Sequence, residues 1–156
     1  MGAEVGALAP TFTLDGSDTT AEGRRTYSLD EYRGQPVVLV FYPGDSTPVC
    51  TRQLNAYTED IASFEDAGAQ VLAISPQSVQ SHDDFSCKQG GFGFPLLADT
   101  DKAVGEAYGI LGPLGFYRRS AFVIDAEGVV RYAHKAVAGL TFRSTKELVE
   151  AVNATR

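Results

Sequence analysis

The sequence has no long hydrophobic run. Its longest apolar stretch, Val37 to Tyr42, is far short of the ~20 residues that a membrane-spanning helix needs. Basic residues are also scarce: 13 Lys and Arg stand against 20 Asp and Glu, a formal net charge of −7. That balance repels phosphate backbones and anionic bilayers. Only Arg24-Arg25 and Arg118-Arg119 place basic side chains together, so no nucleic acid and no membrane is expected as a partner. Cys50 and Cys87 are the two cysteines, too few for a disulfide scaffold. The two histidines, His82 and His134, have no carboxylate or cysteine spacing around them that would make a ligand set, so neither a metal nor a cofactor is expected. A histidine on a helix is expected at the surface or at a cap. Tryptophan is absent, and methionine occurs only as Met1. Met1-Gly2-Ala3-Glu4-Val5 carries no basic segment and no apolar core of a secretory signal, so the expected location is the cytoplasm.

What remains is an ordinary globular composition. The 156 residues are 44% hydrophobic and 21% charged, which fits one domain over 1–156. No repeat or low-complexity tract is present. Residues 14–28 are polar and rich in Gly and Thr, and read as a long surface loop. Val37–Tyr42 is a continuous β-rich run, the pattern of a strand covered on both faces. Pro43-Gly44-Asp45-Ser46 breaks it. Thr47 can then cap a helix with Pro48 at its first position. Cys50, Leu54, Tyr57, Ile61 and Phe64 follow at helical steps, and Gly68 ends the run. Val71–Ile74 is a second strand. Ser78–Gln89 is a helix stopped by Gly90-Gly91, Phe94–Leu97 a short extended piece, and Lys102–Tyr108 a short helix. Ala121–Ile124 and Val129–His134 form a hairpin across Asp125–Gly128, and Ser144 caps a last helix carrying Leu148 and Val152. The early βαβ units imply parallel strands with right-handed crossovers. The late hairpin adds antiparallel ones. The expected architecture is α/β, a mixed central sheet with helices on both faces.

Cys50 would be the third residue of its helix. A sulfur there lies beside unpaired backbone N–H groups at the positive end of the helix dipole, which favours the thiolate. The thiolate is the nucleophile, so a reactive cysteine would be built at this position. The plainer alternative is a small buried hydrophobe that starts the apolar stripe. No CxxC is present, which disfavours a dithiol oxidoreductase.

The segment Phe41-Tyr42-Pro43-Gly44-Asp45-Ser46-Thr47-Pro48-Val49-Cys50-Thr51 resembles the active-site segment of peroxiredoxins, Pro-x3-Thr/Ser-x2-Cys. Its Tyr-Pro and Thr-Pro-x-Cys-Thr are similar to the peroxiredoxin Q subfamily, also called bacterioferritin comigratory protein. Gly6–Leu14 resembles that family's first strand. Ser81-His82 to Phe85, Phe94–Asp99 and Arg119–Asp125 fit as well, so the resemblance runs from about Val5 to Val152. It implies a thioredoxin-like fold and a thiol-dependent peroxidase acting on hydrogen peroxide and organic hydroperoxides through a cysteine sulfenic acid. By position it implies Cys50 as the peroxidatic nucleophile, Thr47 as a hydrogen-bonding hydroxyl, Pro43 as a water shield and Arg119 as the cation that favours the thiolate and holds the peroxide. Each has a plainer reading: Thr47 only a cap, Pro43 only a strand end, Arg119 only a solvated loop residue.

A sulfenic acid needs a resolving thiol. Part of the subfamily places it five residues after the nucleophile, where this chain has Asn55. Other members place it directly after the Phe of the Ser-His-x-x-Phe segment, where this chain has Ser86. Cys87 is one residue later, about 100° around a helix, so it faces solvent if Phe85 faces the core. Asp83 and Asp84, one turn before it, disfavour a thiolate there. Cys87 as resolving cysteine, recycling by thioredoxin or a similar dithiol, and a monomer are the expectations. The alternatives are a one-cysteine enzyme recycled by an external thiol, and a non-catalytic thioredoxin-like binding or holdase module. Leu111–Tyr117 is apolar for a loop and reads as a border of the site or a partner patch.

Overall fold

Every residue of Val37–Phe41 is buried, and the rest of the molecule is arranged around this strand. The computed structural model describes residues 3–18, 23–136 and 142–155. In chain order the elements are β1 (Thr13–Asp18), β2 (Gly23–Ser28), β3 (Val37–Phe41), α1 (Pro48–Glu59), α2 (Ile61–Asp66), β4 (Gln70–Ser75), α3 (Val79–Gln89), β5 (Leu96–Ala98), α4 (Ala103–Ala107), β6 (Ser120–Ile124), β7 (Val130–Lys135) and α5 (Thr145–Asn153). The strands form one sheet in the order β2-β1-β5-β4-β3-β6-β7. β3, β4 and β5 run parallel, and β6, β7, β1 and β2 are joined antiparallel. This is the mixed sheet that the alternating elements imply.

Side chains of β3 alternate between two cores. Val38, Val40 and Tyr42 enter one with Cys50, Leu54, Tyr57, Phe64, Phe85, Leu148 and Val152. That places α1, α2, α3 and α5 on this face. Val37, Leu39 and Phe41 enter the other with Phe12, Leu29, Val104, Tyr108 and Ile110, so α4 and the N-terminal segment cover the opposite face. Burying each large apolar side chain contributes about 1.5–3 kcal/mol.

Two expectations are corrected. Residues 14–28 are not a long loop: β1 and β2 pair across them, from Thr13↔Ser28 to Asp18↔Gly23. Residues 19–22 of that stretch lie outside the described residues. β2 is an edge strand with four exposed positions, Gly23–Thr26, so main-chain pairing, not apolar alternation, holds it. Gly16 is required there, since a Cβ would meet the Tyr27 ring at 2.9 Å. Correspondingly, Gly6–Leu14 enters a strand only at Thr13. The Cys50 helix is also not continuous to Gly68. It breaks at Asp60 (φ −100°, ψ 16°) and resumes as α2. There the Thr58 hydroxyl accepts from the Gly93 N–H. Gly68, at φ 79°, ends α2 as expected.

Candidate active site

Pro43 lacks the N–H that would extend the sheet, so pairing of β3 ends with Tyr42 N–H on the Ile74 carbonyl. The chain then turns through Gly44, Asp45 and Ser46 into α1. Thr47 occupies the N-cap backbone position, but its side chain makes no capping bond. Its hydroxyl turns back and donates to the Gly44 carbonyl at 2.9 Å. The Thr47 carbonyl accepts instead from the N–H and the hydroxyl of Thr51. The expected side-chain cap is therefore absent, and the Thr47 side chain stays at the surface with its oxygen lone pairs open to an incoming donor. Pro43 is half-buried.

Cys50 is fully buried in the first turn of α1. Sheet register brings Arg119 to it. β3 and β6 are antiparallel with Phe41 opposite Ser120, so the chain leaving β3 meets the chain entering β6. Arg119 is 4% exposed, and its Nη2 donates to Cys50 Sγ at 3.2 Å across 69 residues of sequence. A buried guanidinium is costly unless an acceptor or an anion faces it. A thiolate at Cys50 supplies both.

Gln53 was not singled out by sequence reasoning and belongs to this group. Arg119 Nη1 donates to Gln53 Oε1 at 2.6 Å. Gln53 Nε2 in turn faces the Tyr57 hydroxyl, which donates to the Arg143 carbonyl at 2.6 Å. Burial pushes the Tyr57 phenol up to about 12, so it stays a donor at neutral pH. Its oxygen can then only accept from Gln53, and this fixes the amide oxygen toward Arg119. The available signal was spacing: Gln53 stands three residues after Cys50, a polar side chain on the buried stripe.

The remaining candidates are dispersed. Cys87 is exposed, in the last turn of α3, and both cysteines are free. Asp83, before it, is bound by Ser17 and Arg24 of the β1–β2 hairpin. Asn55 donates to Gln89 Oε1 at 3.0 Å and ties α1 to α3. His134 is half-buried on β7, and burial, followed by the charge of Arg143, lowers its pKa below the usual histidine range. His82 corrects the expectation of a surface or capping histidine. It is fully buried with Phe85 and Ser86 on the inner side of α3, 2.8 Å from Asp45 Oδ2. Among the described residues, no group of three or more His, Cys, Asp or Glu could hold a metal ion, and no helix is long and apolar enough to cross a membrane.

The AhpC/TSA family pattern matches residues 5–133. Peroxiredoxin Bcp of Xanthomonas campestris pv. campestris is 36% identical over 135 residues, covering 82% of this chain and 83% of that protein. Chloroplastic peroxiredoxin Q of Oryza sativa subsp. japonica is 37% identical over 131 residues, covering 83% of this chain and 58% of the rice protein's length. Among solved structures, reduced 2-Cys peroxiredoxin of Plasmodium vivax superposes with a TM-score of 0.88 at 25% identity, over 96% of this chain and 80% of that one. AhpC of Mycobacterium tuberculosis, at 23% identity and a TM-score of 0.87 over 99% and 93%, shows the shared fold. The chain has a thioredoxin-like fold and belongs to the AhpC/TSA family of peroxiredoxins. Its curated relatives include members named peroxiredoxin Q and Bcp.

Proposed function

We propose that the chain is a thiol peroxidase in which Cys50 is the nucleophile. The observation that carries the reading is the buried Arg119 guanidinium 3.2 Å from the buried Cys50 sulfur. The Cys50 thiolate attacks one oxygen of a hydroperoxide. An S–O bond forms, the O–O bond breaks, and the leaving oxygen takes a proton and departs as water or an alcohol. Arg119 stabilises the charge that develops as that bond breaks. Thr47 orients the peroxide through its open lone pairs, and Pro43 shields the thiolate from water. Cys50 is left as a sulfenic acid. The Cys87 sulfur then attacks the sulfenic sulfur, expels water and forms a disulfide. Thioredoxin or a similar dithiol reduces it by exchange. The reading extends to one domain over 1–156, acting as a monomer in the cytoplasm.

A disulfide requires Cα atoms within about 7 Å. With Cys50 buried in α1 and Cys87 exposed on α3, the helix ends must open for it to form. The test is mass spectrometry under non-reducing conditions after one equivalent of peroxide. Loss of two hydrogens supports the Cys50–Cys87 disulfide. A retained oxygen assigns the one-cysteine route with an external thiol, and no change in mass rejects the peroxidase in favour of a binding module.

A further inference from the structure

The β3–α1 loop is fastened from outside, at Asp45. The Asp45 N–H donates to Gln77 Oε1 at 2.7 Å. One carboxylate oxygen accepts from the Tyr42 hydroxyl at 2.7 Å. The other accepts from Ser81 Oγ at 2.7 Å and lies 2.8 Å from His82 Nδ1. The Asp45 and His82 side chains are 4% and 0% exposed. On its far side, His82 Nε2 faces the Leu97 carbonyl at 2.9 Å. A carbonyl oxygen only accepts, so Nε2 donates to Leu97 while Nδ1 faces the Asp45 carboxylate. Burial and the Asp45 charge hold the Tyr42 phenol well above its ordinary pKa, which keeps it a donor.

Three of these partners come from one place. Gln77 precedes α3, and Ser81 and His82 lie in its first turn, on the helix that carries Cys87. The loop they hold is conformationally strained. Ser46 has φ 61°, left-handed for a residue with a side chain, and such a conformation persists where its surroundings over-determine it. Gly44 is also pressed against this attachment: a Cβ there would meet Gln77 Oε1 at 2.9 Å. Asp45 and His82 are both buried, and the polar atoms each presents are matched by named partners on the loop, on α3 and on β5.

We propose that Asp45 and His82 are positioning residues of the peroxidase site, a clamp between the Cys50 loop and α3. Closed, it fixes the loop bearing Pro43 and Thr47 for attack by Cys50. Open, it releases the loop and α3 together, which lets Cys87 approach. The inference rests on the peroxidase reading above. It makes the two chemical steps depend on the same contact with opposite sign.

The test compares Asp45→Asn, His82→Gln and His82→Asn by quenched-flow mass spectrometry with hydrogen peroxide. His82→Asn keeps a donor near the Nδ1 position, and His82→Gln keeps one only near Nε2. Losing a charge-assisted bond in Asp45→Asn and His82→Gln should slow oxygen addition to Cys50 about tenfold and speed the following disulfide formation by a similar factor. His82→Asn should stay within about threefold of the parent in both steps. Slowing of both steps in parallel, or equal rates for the two His82 variants, overturns the clamp. Amide exchange on the reduced parent protein tests the clamp independently of that chemistry. Residues 42–47 and 79–87 should open at one shared rate, and Asp45→Asn should separate them. Independent opening in the parent overturns the clamp. Failure of Cys50 to take up oxygen in the parent overturns the peroxidase reading instead, and exchange still decides the clamp.

Discussion

Cys50 and Cys87 belong to helices on the same face of the sheet, at opposite ends of them. Cys50 is in the first turn of α1, fully buried, with Arg119 on its sulfur. Cys87 is in the last turn of α3, exposed, with Asp83 and Asp84 in the preceding turn. A helix N-terminus carries about half a positive charge and a C-terminus about half a negative one, so the same atom meets opposite fields. The contrast separates reactivity from accessibility. The buried sulfur is the one that faces a guanidinium, and the exposed sulfur is open to solvent. In the proposed cycle these are the separate needs of attack on a peroxide and capture of a sulfenic acid.

The largest effect should come from removing the first sulfur. Cys50→Ser should abolish peroxide consumption and leave the melting temperature near the parent value, since the side-chain volume barely changes. Retained turnover would erase the distinction between the two cysteines. Arg119→Ala should come next. Losing one preorganised donor costs on the order of 10²–10³ in rate, so stopped-flow competition with a reporter peroxidase should show a drop of that size in the second-order rate constant. An unchanged rate would remove Arg119 from the site. Gln53→Leu should cost less, about tenfold, because it withdraws one charge-assisted bond from Arg119 and leaves the guanidinium in place. The same assay at several peroxide concentrations checks it, and a loss as large as that of Arg119→Ala would mean that Gln53 does more than orient the arginine. The smallest effect on the first step belongs to Cys87→Ser: nearly parental single oxidation, with dithiol-linked turnover sharply reduced and faster over-oxidation of Cys50. Full turnover in that variant would make Cys87 a bystander and sharpen the contrast into a one-cysteine mechanism.

The stripe of Cys50, Leu54, Tyr57, Ile61 and Phe64 was legible because burial on a helix face leaves a periodic trace; Ile61 is half-buried and the other four are fully buried. The break at Asp60 was not, because the apolar period runs through it unchanged. The β1–β2 hairpin was hidden for a related reason. Its edge strand is held by main-chain hydrogen bonds, which leave no mark on side-chain polarity. Arg119 could be matched to Cys50 only through resemblance to a family motif, since the pairing is made by the β3–β6 register and the two are 69 residues apart. His82 and Gln53 were obscured because polar residues on helices are ordinarily solvated. Each nevertheless sits on its helix's buried side, His82 with Phe85 and Gln53 with Cys50.

The register that joins β3 to β6 also has a consequence in time. Arg119 follows Cys50 by 69 residues, so a chain emerging from the ribosome exposes the cysteine seconds before the arginine exists, at synthesis rates of about 5–20 residues per second. Until β6 docks beside β3, Cys50 lacks the guanidinium that faces it in the folded chain. Under the proposed peroxidase reading, reaction of Cys50 with peroxide then becomes a chemical signature of the completed sheet, readable in a translation mixture without a fluorescent label.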